Sequence, residues 1–202
     1  TPLLQKHKFG VVGFFTVEVG PHVPALVEIL TYPSLAEREA VRARLVSDSD
    51  WGAAVTELEK DGPPYYRRDS ALLRATSFSP PLKASAAGDT AHKIYELRFY
   101  EASTQRQLNF MHDRFYPAEI EVFHQCGIDP ILYGDIVIGP NMPCMVYLIP
   151  FESEAHREKS WAAFRAHPGW KKIADEWMQK AGELARNISS AILVPTAFSA
   201  LR

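Results

Sequence analysis

The sequence predicts an α+β fold made of two ferredoxin-like units, each with the element order β-α-β-β-α-β, whose antiparallel sheets pack face to face as a barrel. The main observation is an internal repeat in which residues 20–57 resemble residues 139–176 at an offset of 119. The recurring residues include Gly20/Gly139, Pro21/Pro140, Ser34/Ser153, Arg38/Arg157, Glu39/Glu158 and Trp51/Trp170. A second observation is the alternation of strand-like and helix-like segments. A third is physical: a sheet with helices on one face leaves the other face bare, and a second copy of the sheet would cover it.

The second unit, residues 93–202, contains every element of this order. Aromatic and β-branched residues predict strands over residues 93–100, 131–138, 144–151 and 188–194. Apolar residues at three- and four-residue steps predict helices over residues 105–125, 154–165 and 170–186. We expect Pro117 to kink the first of these helices, Gly127 to end it and Ser153 to cap the second.

The first unit, residues 1–82, repeats this order only from its hairpin onward. Strands are predicted over residues 11–19, 25–32 and 70–75, and helices are predicted from Ser34 and from Trp51. Ser34 and Glu37 form an S-x-x-E capping box. Nothing in the first unit corresponds to the strand and helix of residues 93–118, so we interpret it as truncated. The small, polar residues 83–92 predict a linker between the units.

Composition and charge narrow the class of protein. The net charge is −2, from 22 basic and 24 acidic residues that are mixed along the chain, which argues against a nucleic-acid partner. No apolar run reaches the roughly 18 residues of a membrane span. The two cysteines, Cys126 and Cys144, form neither a disulfide framework nor a metal motif. We therefore expect a reducing intracellular compartment, either the cytoplasm or the mitochondrial matrix.

The opening strand of the second unit carries the candidate ligand-binding residues. Period-2 alternation places Glu96, Arg98 and Tyr100 on one face, which we expect to point into the barrel, and the residues between them under the helices. Tyr133 and Tyr147 would add an aromatic lining. The charged pair could bind an anionic or carbonyl-bearing ligand, or it could form internal ion pairs that hold the two units in register, because a buried charge requires a partner.

His112 is a further candidate for acid–base chemistry at the edge of the sheet. The seven histidines form no HxH or HExxH pattern, so the sequence predicts no metal site. No cofactor is predicted either, although a haem held by His112 or His124 remains an alternative. The nucleophile-elbow, phosphate-loop and dinucleotide-binding motifs are all absent.

Several of these segments together resemble the NIPSNAP family. They are Tyr95–Tyr100 (YELRFY), His112–Phe115 (HDRF), the S-x-x-x-R-E start of the helix at Ser153, Pro168–Trp170 (PGW) and Val194–Ser199 (VPTAFS). The resemblance covers the whole second unit and, more faintly, the first. It implies a dimeric α/β-barrel fold, and tandem members resemble vesicle-trafficking and mitochondrial proteins with binding or scaffolding roles. Asp48-Ser49-Asp50 departs from the family pattern before Trp51.

The resulting functional hypothesis is a non-catalytic protein that binds a small apolar or anionic ligand, or a protein partner, in its barrel. It would be a homo-oligomer or an internal pseudo-dimer. The alternatives are a cofactor-free enzyme of the dimeric α/β-barrel type, acting by proton transfer, isomerisation or monooxygenation on an apolar carbonyl compound, and a haem-binding barrel. Fold alone does not decide among these functions.

Overall fold

The computed structural model describes residues 2–86 and 93–202 and shows seven strands and seven α-helices in them. The strands are β1 (Val12–Val19), β2 (Leu26–Leu30), β3 (Leu72–Ala75), β4 (Ile94–Glu101), β5 (Leu132–Ile138), β6 (Cys144–Phe151) and β7 (Asn187–Pro195). The helices are α1 (Pro2–Lys6), α2 (Leu35–Val46), α3 (Ser49–Glu59), α4 (Gln105–Arg114), α5 (Ile120–Gln125), α6 (Glu154–Ala166) and α7 (Pro168–Ala181). A π-helical turn, Phe115–Glu119, joins α4 to α5.

Local sequence signals account for where several helices begin and end. The Ser34 hydroxyl accepts a hydrogen bond from the Glu37 amide at 3.1 Å, and Ser153 caps α6 with the same geometry. The kink expected at Pro117 lies within the π-helical turn. Gly127 follows α5 with a φ of 71°, a conformation that costs glycine little. The short helix α1 is the one helix that the sequence analysis did not predict.

All seven strands form one antiparallel sheet in the order β2-β1-β7-β4-β6-β5-β3. The second unit supplies the central four strands, β7-β4-β6-β5, in the ferredoxin-like order. The hairpin β1–β2 extends the sheet beyond β7, and β3 extends it beyond β5. The predicted α+β fold class is confirmed, and the structure adds that the two sheets join edge to edge into one continuous sheet.

The two junctions between the units have the same register. Phe15 lies opposite Pro195 at the β1–β7 junction, and Gly134 lies opposite Ala75 at the β3–β5 junction. The two pairs are equivalent in the repeat, since Phe15 corresponds to Gly134 at the offset of 119 and Ala75 corresponds to Pro195 at the offset of 120. The irregularity in β1 after Val17 likewise has its counterpart in β5 after Ile136. The division into units at residues 82 and 93 stays a prediction, and residues 87–92 of the predicted linker lie outside the described residues.

The sheet separates two apolar cores. On its helix face, the face covered by α4 to α7, the core includes Phe115, Phe123 and Trp161. On its inner face, Phe15, Leu148 and Leu193 are fully buried. This inner core also takes in residues of β2 and β5, although four strands separate these two in the sheet. The sheet is therefore strongly curled around its inner face.

Helix α1 is attached to the first unit by charged groups. The Nε2 atom of His7 lies 2.6 Å from a carboxylate oxygen of Asp48, and the Lys6 ammonium lies 2.7 Å from the same oxygen. Asp48 also accepts a hydrogen bond from the amide of Asp50 at the start of α3. In the part of the chain that the structure describes, no helix is both long and apolar enough to cross a membrane.

Replacing Phe15 with alanine should test the inner core. Its ring is inaccessible to solvent and lies 5.1 Å from the Tyr95 ring, centroid to centroid. We expect Phe15→Ala to lower the free energy of unfolding by about 3–5 kcal/mol, measured by urea denaturation, because a cavity replaces a buried ring. Leu58→Ala, at a 62% exposed site on α3, is the control and should change it by less than about 0.5 kcal/mol. Equal effects would contradict a packed inner face.

Candidate functional site

The candidate residues of β4 lie on the helix face of the sheet, beneath α6. Glu96, Arg98 and Tyr100 alternate along β4 as predicted, and Arg98 lies opposite Tyr147 on β6. The prediction that these side chains point into the barrel is wrong. Alternation defines two faces of a strand but does not say which one helices cover, and the partners of Glu96 are supplied by α6.

Glu96 is fully buried and accepts hydrogen bonds from three side chains. One of its carboxylate oxygens accepts from Nε of Arg157 at 2.8 Å and from Nε1 of Trp161 at 2.7 Å. The other accepts from Arg98, and from a terminal nitrogen of Arg157 at 3.1 Å. Burial acts to raise the pKa of Glu96, but the two guanidinium groups and Trp161 outweigh it, so the pKa lies below its ordinary value.

Arg98 links this carboxylate to the tyrosines. Its Nε donates to the hydroxyl of Tyr147 at 3.0 Å, and a terminal nitrogen donates to the hydroxyl of Tyr100 at 3.4 Å. The guanidinium also lies over the Trp161 ring, 4.5 Å from its centroid. Despite burial, the surrounding oxygens raise the pKa of Arg98, so it stays charged. Its side chain is 16% exposed to solvent.

A cleft of about 440 Å³ opens beside Arg98, between β4 and α6. We call it the arginine cleft, and the residues that line it are Arg98, Arg157, Glu158, Trp161, Ala162 and Arg165. Arg98 lies at its floor, whereas Arg165 is exposed at its rim. The sequence analysis identified Arg157 only as one of the recurring residues of the repeat, and it missed Trp161 and Arg165. The sequence signal that could have found the cleft was helical spacing, since residues 157, 161 and 165 follow one another at four-residue steps.

Behind Arg98, tyrosine side chains fill the core under the π-helical turn. Tyr133 and Tyr147 stack at 5.6 Å between centroids and are almost fully buried. Burial raises the pKa of both phenols, so neither can act as a phenolate at neutral pH. Glu119, buried in the same region, has a pKa raised by burial, although the Nε atom of Arg114 donates to it at 2.8 Å.

His112 is held apart from the arginine cleft. Its Nε2 lies 2.9 Å from a carboxylate oxygen of Asp135, and its ring contacts Phe78 edge to face. His124, the other histidine considered for haem, is surface-exposed and lies 3.8 Å from Asp129. Neither lines the arginine cleft. Across residues 2–86 and 93–202, no group of three or more His, Cys, Asp or Glu side chains could hold a metal ion.

The cleft is suited to binding oxyanions, since guanidinium groups donate paired hydrogen bonds to carboxylates and phosphates. Among the six residues that line the cleft, the one carboxylate, on Glu158, is exposed. The Cys144 thiol is buried on the inner face of the sheet, and burial raises its pKa to about 12, so it is not a nucleophile for the cleft at neutral pH.

We expect Glu96→Gln to weaken the acid dependence of stability. The folded carboxyl remains charged at pH values where the unfolded one, near 4.5, takes up a proton, so Glu96 stabilises the fold above that pH. This contribution is lost as the pH falls through the folded pKa. Urea denaturation between pH 7 and 3 should show that the free energy of unfolding falls less steeply with decreasing pH in the variant than in wild type. At pH 7 the variant should be about 3 kcal/mol less stable. Glu154→Gln, at a half-exposed partner of Arg157, should keep the wild-type decline. An unchanged decline in Glu96→Gln would contradict this account.

The sequence and the fold of this chain are both similar to those of known proteins. A family model described as NIPSNAP matches residues 1–80 and 95–200. A NIPSNAP-like domain protein from Burkholderia xenovorans is 24% identical, and the match covers 54% of this chain and 90% of that one with a TM-score of 0.48. A NIPSNAP family protein of unknown function from Agrobacterium tumefaciens is 22% identical. The match covers 56% of this chain and 96% of that one, with a TM-score of 0.49.

Over nearly the whole chain, the fold is also similar to that of an anthrone oxidase-like protein. This structure is 13% identical, the match covers 97% of this chain and 81% of that one, and the TM-score is 0.53. At this identity the likeness shows the fold alone. No curated protein matches the chain. Because the family model extends over most of the sequence, the chain belongs to the NIPSNAP family.

Proposed function

We propose that this protein is a non-catalytic binding protein and that the arginine cleft binds a small molecule carrying a carboxylate or phosphate group. The observation that supports the proposal best is the grouping of Arg98, Arg157 and Arg165 around one cavity of about 440 Å³. A cavity of this volume falls within the range of small-molecule sites in proteins. The site lies on the helix face, so it replaces the barrel interior as the proposed location.

The charge balance inside the cleft favours an anion. Two guanidinium groups, on Arg98 and Arg157, share the buried carboxylate of Glu96, whose one negative charge balances only one of their two positive charges. Glu154 and Glu158 offset charge only at the exposed rim, where water and salt screen it. A ligand oxyanion at the buried end would supply the missing negative charge.

Arg165 is the residue best placed to close on a ligand. It is exposed, and within residues 2–86 and 93–202 its guanidinium forms no ion pair or hydrogen bond. Arg98 and Arg157, by contrast, are fixed by Glu96 and therefore present their remaining donors with little loss of side-chain entropy on binding. The cleft combines two positioned cations with one that is free to move.

No specific observation in the described residues favours the enzyme alternative. A cofactor-free reaction needs a base close to the substrate, but Glu96 has a lowered pKa and several donors, and Glu119 is enclosed in the core. The haem alternative has no better support, because His112 is bound to Asp135 and His124 lies on the surface. Binding without catalysis is the simpler proposal.

Arg165→Ala tests the proposal without disturbing the fold. Inorganic phosphate and benzoate serve as probes for tetrahedral and planar oxyanions, and isothermal titration calorimetry measures their affinity. We expect the variant to bind the preferred probe at least tenfold more weakly, because a hydrogen bond between charged groups contributes roughly 1.5–3 kcal/mol. Its melting temperature should stay within about 2 °C of wild type.

Arg44→Ala is the matched control, since it removes an exposed arginine from α2 in the first unit. It should leave the affinity unchanged. Equal binding by wild type and Arg165→Ala, or no binding of either probe at millimolar concentration, would contradict an oxyanion site. Native mass spectrometry of the purified protein adds an independent check, because a released anionic molecule would identify the natural class of ligand.

A further inference from the structure

The hydrogen-bond donors of the arginine cleft are only partly used by the protein. An arginine side chain has five N–H groups. Arg98 uses three of them, one on Glu96 and one on each of two tyrosines. Arg157 also uses three, two on Glu96 and one on Glu154. Among the described contacts, each of these two side chains therefore keeps two N–H groups, which is five minus three, for a ligand.

These unused donors lie close together at the buried end of the cleft. One terminal nitrogen of Arg98 and one of Arg157 donate to the same carboxylate oxygen of Glu96. The two nitrogens are therefore neighbours, and each has a second N–H besides the one that it donates to Glu96. A single ligand group with several oxygens can bridge both guanidinium groups.

The number of donors distinguishes between the oxyanions that could occupy this position. A carboxylate has two oxygens, with about four acceptor sites in total. The four unused N–H groups of Arg98 and Arg157 would already fill these sites. A phosphate monoester has three terminal oxygens, so it can also accept from Arg165, which lines the same cavity and has no hydrogen-bond partner in the described part of the chain. A tetrahedral oxyanion thus engages all three arginines at once.

The surrounding charges favour a divalent anion over a monovalent one. Glu96 balances one of the two guanidinium charges at the buried end. The other buried carboxylate near them, on Glu119, is paired with Arg114. Glu154 contacts Arg157 from a half-exposed position, where water screens its charge. A phosphate monoester carries a charge of about −1.5 to −2 at pH 7, so it gains more from this positive region than a carboxylate does.

The size of the cleft indicates that the ligand extends beyond its anionic group. The cavity of about 440 Å³ is in the range of drug-sized ligands, and a phosphate ion fills only a small part of it. Trp161 and Ala162 lie between Arg157 and Arg165 along α6 and give the cleft an apolar section beside its cations. This section can pack against a small organic group.

We propose, on the basis of the function proposed above, that the ligand is a small organic phosphate monoester. Its phosphoryl group lies between Arg98 and Arg157 at the buried end, and Arg165 closes on the third oxygen. Its organic group lies along Ala162 towards the opening of the cleft.

Three probes with the same four-carbon chain test this inference: butyl phosphate, butyl sulfate and pentanoate. Isothermal titration calorimetry at pH 7 measures their affinity for the full 202-residue chain. We expect butyl phosphate to bind at least tenfold more tightly than butyl sulfate, which has the same shape and three terminal oxygens but one charge. Pentanoate should bind more weakly still. Inorganic phosphate should bind at least threefold more weakly than butyl phosphate, because it lacks the organic group.

Arg165→Gln provides the matched variant. It removes one exposed cation, so it should lower the preference for butyl phosphate over butyl sulfate at least threefold, because a cation attracts a dianion more strongly than a monoanion. Its melting temperature should equal that of wild type, which separates this effect from a loss of folding. Arg44→Gln, at an exposed site on α2, is the control and should leave the preference unchanged.

A phosphate monoester is present both in soluble metabolites and in the lipid phosphatidic acid. Sedimentation with phosphatidylcholine vesicles distinguishes these two sources. Protein that sediments with vesicles containing phosphatidic acid, but not with plain vesicles, would assign the phosphoryl group to a lipid. Protein that binds butyl phosphate but stays in solution with both kinds of vesicle would assign it to a soluble molecule.

The possible failures of this inference and of oxyanion binding are distinguishable. Butyl sulfate or pentanoate binding as tightly as butyl phosphate would overturn the phosphate monoester and leave an oxyanion site. Inorganic phosphate binding as tightly as butyl phosphate would overturn the organic group. No binding of any probe at millimolar concentration would overturn this inference together with the function on which it rests.

Discussion

The buried carboxylate of Glu96 joins the main parts of the second unit. It accepts hydrogen bonds from Arg98 on its own strand and from Arg157 and Trp161 on α6, so it ties the centre of the sheet to the helix that covers it. An unpaired carboxylate at this depth would be strongly destabilising, and its partners have few alternatives to the observed positions. The stacking of Arg98 on Trp161, and with it the floor of the arginine cleft, follows from this one compensated charge.

The repeat gives both units equivalent strands and helices, but the side chains at several equivalent positions differ. Arg38 corresponds to Arg157, but Arg42 takes the place of Trp161 and Glu28 the place of Tyr147. In the second unit Arg157 and Tyr147 lie against β4, whereas β2, which carries Glu28, is an edge strand among the described residues. The same helix position lines the arginine cleft in the second unit, where it is Arg157, and lies on α2 in the first, where it is Arg38.

Membership of the NIPSNAP family agrees with the fold but does not select a ligand. The structural likeness to an anthrone oxidase-like protein extends over 97% of the chain at only 13% identity, so it reflects a shared arrangement of strands and helices. Function depends on side chains placed on that arrangement. In this chain the helix-face side chains form a charge-compensated network around Glu96 and Arg98, and burial raises the pKa of Tyr133 and Tyr147 beside it.

The sequence alone determined the fold class, the bounds of most elements and the two sides of β4, because these depend on local periodicity, on caps such as Ser34 and on an internal repeat. It also singled out Glu96 and Arg98. Only the tertiary structure decided which side of β4 faces the helices, since alternation is symmetric and the deciding partner, Arg157, is 61 residues away in sequence. The cleft with Arg165 exists only once α6 has packed on the sheet.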